Sequence, residues 1–559
     1  MNTRLIIALT VSLLLVVLYQ FLFIKQPPKE IRETKEIAAA NKDGGEEKGQ
    51  QEGAAPLVVT GQRRLAEGVV YRDVVVDTPL YSATLTTYGG RLKSWKLKQY
   101  RDKVPMHPVG KFVQNLEYLV KGVFGFKGKK VEEIPPQPVE IVNTTAMADL
   151  PLGISFQKGG MGYDEGIPFV PSSGGISLTH QGETKTLTLR WRSPRGEQID
   201  KRFTFYADTY RMDMELVISN PASRGSSKDA LELGWAAAIP KTTKSYGFFG
   251  PIYYSDGGFQ KIKPKKIGAG ETIVQNVDWF GMEEDYFITL IYPSTKGTSL
   301  AMRSTPENVI HSTQINPLAL SPGANERVSY TLFLGPKVSS LLAQITPTAK
   351  KAASFGWLNL LAVPILKVLN FTNTFTGNYG LDIVILAIIL KIVFTPLTHK
   401  SQEQMKVMQQ LQPEVKKLQQ KYKDDKQALN REIMELYKRR KVNPLGGCLP
   451  LLLQMPVFFA LYQALPNAIE LRQAPFILWI RDLADKDPTY ITPLLMGATM
   501  FIQQKMTTVS ADPTQMKMMS FMPIFFTFIF LNFPSGLVIY WLVTNVLSIG
   551  HQFYINKKK

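Results

Sequence analysis

Apolar and polar residues alternate along this chain in three rhythms, and each predicts a different kind of element. Leu5 to Ile24 form one apolar run, preceded by Arg4 and followed at once by Lys25, Gln26, Pro27 and Pro28. The run is about long enough to cross about 30 Å of hydrocarbon. A cleavable signal has a shorter apolar core with small residues directly behind it. The pattern therefore predicts an uncleaved transmembrane anchor over 1–24. Residues 25–56, rich in Glu, Lys, Gly and Gln, have little to bury and are expected to be a disordered linker.

From 57 to 342 the rhythm shortens to two. VVYRDVVVDTPLYSATLTTYGG, TKTLTLRWRS, IDKRFTFYADTYRMDMELVISNP and RVSYTLFLGP alternate apolar with polar residues and are rich in β-branched side chains. Short strands separated by Gly, Pro and Asn turns predict a large antiparallel β-sandwich. No long helix is expected inside it.

Between 343 and 378 the period changes to three or four. Phe355, Leu358, Leu361, Ala362, Ile365, Leu366 and Leu369 recur with Lys350, Lys351 and Lys367 nearby. This predicts an amphipathic helix in the membrane interface, interrupted by Pro364. The remaining chain, 379–559, reads as an α-helical membrane core of five helices. Its spans are expected at about 379–397, 448–466, 491–506, 518–533 and 536–552. The third and fourth would cover only about 24 Å each at 1.5 Å per residue, short enough to favour local bilayer thinning.

Charge orients this core. The formal net charge is +19, which points to anionic partners such as lipid headgroups. The 399–447 connection holds far more Lys and Arg than Asp and Glu, the 467–490 connection is slightly acidic, and the tail ends in Lys557–Lys559. The positive-inside rule places that connection and both termini in the cytoplasm and the β domain outside. Within 399–447, Met405, Met408, Leu411, Val415, Leu418 and Tyr422 form one helical stripe and Leu429, Ile433 and Leu436 another. They predict a basic helical hairpin.

One residue breaks the apolar pattern. Lys391 lies inside the 379–397 span, eight residues or about 12 Å from the boundary at His399–Lys400. A charge at the bilayer centre costs about 2.5–3.5 kcal/mol on insertion scales, so hydration or pairing must offset it. Lys391, Thr395, Thr398 and Gln402 share one helical face and predict one wall of a water-filled groove. Gln454, Gln503 and Asn545 at membrane depth suit either helix–helix glue or groove lining. Met455, Met516, Met518, Met519, Met522, Phe525, Phe526, Phe528 and Phe530 supply a soft apolar surface. It suits lipid-facing packing or a slide for varied apolar segments.

Motifs of covalent chemistry are missing. There is no Walker A loop, HExxH, GxSxG elbow or pair of intramembrane acids, which excludes those nucleotide and protease chemistries by motif. His107, His180 and His311 are not grouped with acids or Cys at a metal spacing, and the one cysteine, Cys448, can form no intrachain disulfide. No catalytic residue, metal site or cofactor is expected. A channel or anion transporter using Lys391 as selectivity charge is the other class open to such a core, although paired repeats are lacking.

The runs TPLTHKSQEQMKVMQQLQP (395–413), KVNPLGGCLPLLLQMPVF (441–458), ELRQAPFILWIRDL (470–483) and NFPSGLVIYWLVTN (532–545) resemble the YidC/Oxa1/Alb3 membrane insertases. With DYFITLIYP (285–293) and the anchor plus β domain, the resemblance extends to the Gram-negative YidC form and covers essentially the whole chain. It implies an insertase and folding chaperone of the bacterial inner membrane, working alone or with the Sec translocon. Nascent membrane proteins would be its substrates, and a ribosome or targeting receptor would dock at the hairpin. It also implies a cytoplasm-open hydrophilic groove with a positive residue, usually arginine, for which Lys391 stands here. Lysine keeps the charge without the planar fork of donors. Substrate contacts of the family fall on Met455, Ile529, Tyr540 and Trp541, and Trp541 equally suits an interfacial tryptophan.

Overall fold

The computed structural model describes residues 70–123, 135–157, 164–221, 227–240, 247–423, 425–440, 442, 449–507 and 513–557. The expected anchor (1–24) and linker (25–56), and Cys448, lie outside the described residues. So do the side chains of Met516, Met518 and Met519.

Period two becomes strands as expected. Asp73–Asp77 is typical: Val74 and Val76 are buried while Asp73, Val75 and Asp77 face out. Nineteen strands among the described residues form three sheets of five, nine and five strands. In the nine-stranded sheet Phe287–Pro293, Asn325–Pro336, Arg211–Ser219, Gln198–Tyr206 and Thr184–Arg192 lie side by side in that order, all antiparallel. One pair departs from the antiparallel rule: Asp73–Asp77 runs parallel to Gly175–Ser177. Hydrogen bonds cross between sheets, from Trp95 Nε1 to the Leu334 carbonyl at 2.9 Å and from Asn316 Nδ2 to the Tyr330 hydroxyl at 2.7 Å. The faces they join bury Trp95, Trp279, Tyr81, Phe203 and Phe205, which makes the region a sandwich.

A charged cluster is sealed inside it. Lys201 is fully buried and donates to Asp164 at 2.6 Å and to the carbonyls of Gly89 and Leu152 at 2.7 and 2.9 Å. Arg91 reaches the other oxygen of Asp164 at 2.7 Å. Asp164 also accepts from the Ile154 N–H at 2.8 Å, so the buried charges are both paired and hydrogen-bonded, the arrangement in which they are tolerated.

The expectation of no long helix in the sandwich is wrong. Pro108–Val123 (α1) is a 16-residue helix. Four valines, Gly110 and Gly122 lower its intrinsic propensity, and its apolar residues Val109, Phe112 and Leu116 remain exposed, so no core-facing stripe advertises it.

The interfacial segment also differs from its expected extent. Pro347–Ala353 is a 3-10 turn packed into the sandwich, with Ala349 and Ala352 buried and Thr348 accepting from Trp279 Nε1 at 2.9 Å. The helix proper (α2) spans Asn359–Thr376 with Pro364 inside it and Gly377 closing it in the left-handed conformation. Ala362, Ile365 and Leu369 are buried, whereas Leu360, Phe371 and Phe375 are exposed on the other side. Gly356–Thr376 and Tyr379–Gln410 are two segments long and apolar enough to cross a membrane.

The core helices are α3 (Tyr379–Gln410), α6 (Leu449–Ala464), α7 (Ile491–Thr507), α8 (Pro513–Phe530) and α9 (Ser535–Lys557). Between α3 and α6 lie the hairpin arms α4 (Gln412–Lys421) and α5 (Lys426–Arg439). Met408, Leu411, Val415, Leu436, Tyr437 and Val442 form the hairpin's own small core, closed by Arg440–Glu414 at 2.8 Å. Across the other end of the bundle the 467–490 connection ties down the helix starts. Asn378 donates to the Phe476 carbonyl at 3.1 Å and the Ser535 N–H to the Asp485 carbonyl at 2.7 Å.

That connection is also where the sandwich meets the bundle. Arg472 lies over the rings of Tyr286 (5.6 Å) and Phe287 (5.2 Å) and donates to the Arg101 carbonyl, which Gln473 Nε2 also reaches at 2.8 Å. A cavity of about 800 Å³ lies at the junction, with His107, Glu284, Arg481 and Asp485 among its lining residues.

Candidate functional site

Helix α3 begins with a strong cap. The Asn378 side chain accepts from the N–H groups of Gly380 and Leu381 at 2.9 and 3.2 Å. Asp382 in the first turn is fully buried and accepts from Asn373 and Thr376, both at 2.7 Å. A carboxylate there also suits the positive end of the helix dipole. Ile383, Leu386 and Ala387 then face the bundle while Ile392 and Val393 face outward.

Lys391 comes next, half-buried. Its ammonium donates to Ser548 Oγ on α9 at 2.7 Å, and Ser548 in turn donates to the Thr544 carbonyl at 2.7 Å. Among the described residues Ser548 is the one hydrogen-bond partner of this ammonium. Thr395 and Thr398 share its face, but their hydroxyls bond back to their own helix, to the Lys391 carbonyl at 2.6 Å and the Phe394 carbonyl at 3.0 Å. Gln402, a turn further on, is buried, and its Oε1 has no hydrogen-bond partner among the described residues.

Three contacts fix how α3 and α9 lie. Lys391 meets Ser548, His399 Nδ1 meets His551 Nε2 at 3.2 Å with the rings stacked, and Lys406 meets the Ile555 carbonyl at 3.0 Å. The pairs advance together along both helices, so α3 and α9 run parallel. Helix α7 ends on the same side, where Gln409 Nε2 reaches the Met506 carbonyl at 3.1 Å. The hairpin base and the ends of α7 and α9 therefore share one end of the bundle, and the sandwich abuts the opposite end.

The other expected site residues divide. Gln454 on α6 lies beside the Tyr540 hydroxyl, which brings the second helix wall to α9. Met455 and Ile529 are half-buried. Tyr540 and Trp541 are buried. Trp541 is no interfacial belt residue: its ring packs on Phe458 at 5.2 Å and Phe530 at 5.4 Å, beside Met496 and Val538. Among the described side chains of α8, the large apolar ones left exposed are Phe521, Ile524 and Phe528. No group of three metal-ligating side chains occurs among the described residues.

Residues 371–559 match the family model described as 60Kd inner membrane protein, and 131–368 match the YidC periplasmic domain. Membrane protein insertase YidC of Syntrophus aciditrophicus (strain SB) is 39% identical over 100% of this chain and 100% of its own length. The chain belongs to the YidC family of membrane protein insertases. YidC of Geobacter sulfurreducens is likewise 39% identical, over 100% of this chain and 98% of the relative. A crystal structure titled as an active YidC insertase with its first transmembrane domain resolved is 16% identical. It covers 98% of this chain and 99% of that one, with a TM-score of 0.37. As a YidC-family member the protein is an inner-membrane protein, its sandwich is the periplasmic domain, and it is not an enzyme.

Sequence reasoning located Lys391 from one broken pattern. It missed Ser548, His551 and Asp382. Ser548 lies 157 residues away from the lysine it holds, and a serine in an apolar helix carries no signal of its own. Asp382 was legible as an acid at a helix start, three residues after Tyr379.

Proposed function

We propose that this YidC-family protein inserts transmembrane segments through a hydrophilic groove between α3, α6 and α9 that opens to the cytoplasm, with Lys391 as its cation. The supporting observation is the ammonium itself, inside an apolar helix and held by Ser548 at 2.7 Å. An ammonium has three N–H donors, so a single serine leaves capacity for water or an incoming carboxylate. The buried Oε1 of Gln402 marks a second point that water would satisfy.

The α3, α6, α7, α8 and α9 helices are the five spans in this reading. With the sandwich periplasmic, the hairpin end of the bundle is cytoplasmic, and with it the C-terminus. The basic excess of the hairpin supports the same orientation. A substrate's polar tail enters the groove and is drawn to Lys391, Thr395, Thr398 and Gln454. Its apolar segment leaves sideways past Met455 and Ile529 into lipid. The buried Tyr540 and Trp541 form the packed floor behind that path. Partitioning drives the exit at roughly 0.8 kcal/mol per buried CH₂, and the membrane potential adds about 2.3 kcal/mol per charge per 100 mV for an acidic tail moving outward. The hairpin is the docking point for a ribosome or targeting receptor, and cooperation with the Sec translocon belongs to the same reading.

The test is reconstitution. Liposomes containing this protein alone should insert a single-span substrate with a short acidic tail, seen as protease protection of the tail. Failure with a correctly folded, oriented protein refutes the proposal.

A further inference from the structure

Helix α1 lies outside the residues matched by the periplasmic-domain family, which begin at 131. Three described side chains make it unusual for a folded surface. Val109 is 40% exposed, Phe112 69% and Leu116 50%. At about 100° per residue they fall within about 60° of arc, one narrow stripe. Lys111, Gln114, Asn115 and Tyr118 lie on the other side. The helix carries Lys111 and Lys121 against Glu117, a net positive charge.

Its position is set by the bundle. A Cβ at Gly110 would meet Pro488 at 3.4 Å, so the start of α1 sits directly against the 467–490 connection. That connection closes the sandwich end of the bundle through Asp485–Ser535 and Phe476–Asn378. It exposes apolar residues of its own, Ile477 at 53% and Leu478 at 67%, and α2 exposes Leu360 at 82%. An amphipathic helix with a net positive charge and an open apolar stripe, fixed at the level where spans leave the bilayer, has the makings of an interfacial anchor.

We propose that α1 lies in the periplasmic leaflet of the membrane, with Val109, Phe112 and Leu116 at the acyl boundary, the exposed Asn115 and Tyr118 at headgroup level, and the side holding Gly110 and Gln114 against the protein. The helix thereby tethers the sandwich to the bilayer beside the 467–490 connection. This rests on the reading of the five core helices as spans.

The experiment uses the full chain in nanodiscs of phosphatidylethanolamine and phosphatidylglycerol, with Cys448→Ser removing the native thiol. Phe112→Cys, Leu116→Cys, Tyr118→Cys and, on the outward face of α3, Ile392→Cys, one at a time, carry an environment-sensitive fluorophore, with or without bromine on the lipid acyl chains. Labels at 112, 116 and 392 should shift to the blue and lose intensity to bromine, while the label at 118 should not. Quenching at 392 but at neither 112 nor 116 overturns the α1 proposal and leaves α3 standing as a span. A blue shift at 112 and 116 without bromine quenching means that protein covers the stripe, and also overturns it. Absence of quenching at all four sites overturns the proposal and the reading of α3 as a span together.

Discussion

Exchanging Lys391 for methionine removes the charge from the proposed groove and keeps most of the side chain's length. The ammonium's partner, Ser548, is neutral, so a substrate carboxylate would meet a cation not already neutralised there. Two unit charges about 5 Å apart interact by about 3 kcal/mol at an effective dielectric constant of about 20, and by about 0.8 kcal/mol in bulk water. With about 1.4 kcal/mol per factor of ten, an acidic tail should outpace a neutral one by between about fourfold and about two-hundredfold. A hydrated groove puts the expected ratio near the lower end, about tenfold. The assay follows insertion of two single-span substrates that differ by one Asp or Asn in the translocated tail. Wild type and Lys391→Arg should favour the Asp substrate. Lys391→Met should bring the two rates together, and Lys391→Glu should reverse their order. If Lys391→Met slows both substrates equally, or neither, the electrostatic role of the lysine is refuted.

Ser548→Ala should lower thermal stability by about 1–3 kcal/mol, the worth of a hydrogen bond to a charged group. The same change in a Lys391→Met background should cost much less, and equal losses in both would break the coupling. Excising 416–436 should leave a protease-resistant bundle but weaken substrate recruitment, because the hairpin packs on its own small core; collapse of the bundle would make the hairpin structural. Burial, with Asp285 beside it, pushes the Glu284 carboxyl up to about 7. The folded state then binds a proton that the unfolded state has lost, so stability contributed by this group is full below about 4.5 and declines toward pH 7. Glu284→Gln should therefore raise stability at pH 8 and not at pH 4, by up to about 3 kcal/mol, and an equal change in Tm at both pH values counts against it. At Gly497 a Cβ would fall inside the Thr527 side chain of α8. Gly497→Val should cost about 1–3 kcal/mol by overpacking, with partial rescue by Thr527→Ala; an unchanged Tm for Gly497→Val would mean that α7 and α8 can part freely.

What the sequence disclosed and what it hid follow from range. The hairpin was legible because Met408, Leu411 and Val415 repeat a local period and pack with residues only some twenty positions away. Val74 and Val76 signalled a strand for the same reason. Lys391 stood out because one charge breaks a run of Ile, Leu and Val. Its partner did not, since a serine 157 positions on is chosen by tertiary packing alone. Trp541 misled for a related reason. A tryptophan near the start of a span suits the membrane interface by composition, yet Phe458 and Phe530 from two other helices enclose it. Helix α1 was hidden by its valines, and the Arg472 junction by the distance between the motifs that build it.

Helix α3 has a mechanical consequence. Its 32 residues form one continuous helix, about 48 Å long, more than the thickness of a bilayer's hydrocarbon. One end is clamped by the Asn378 cap and the buried Asp382, and the other carries the hairpin. Lys391 sits about 18 Å from the clamp and about 28 Å from the hairpin end. A rigid tilt of about 5° about the clamp would swing the hairpin end by about 4 Å and the ammonium by about 2 Å. Pro396 lies five residues beyond Lys391, between the charge and the hairpin, and a proline inside a helix is a bending point. The helix is a lever with a joint in its arm. Under the proposed function, Pro396 thus sets how much of a pull on the hairpin reaches the cation.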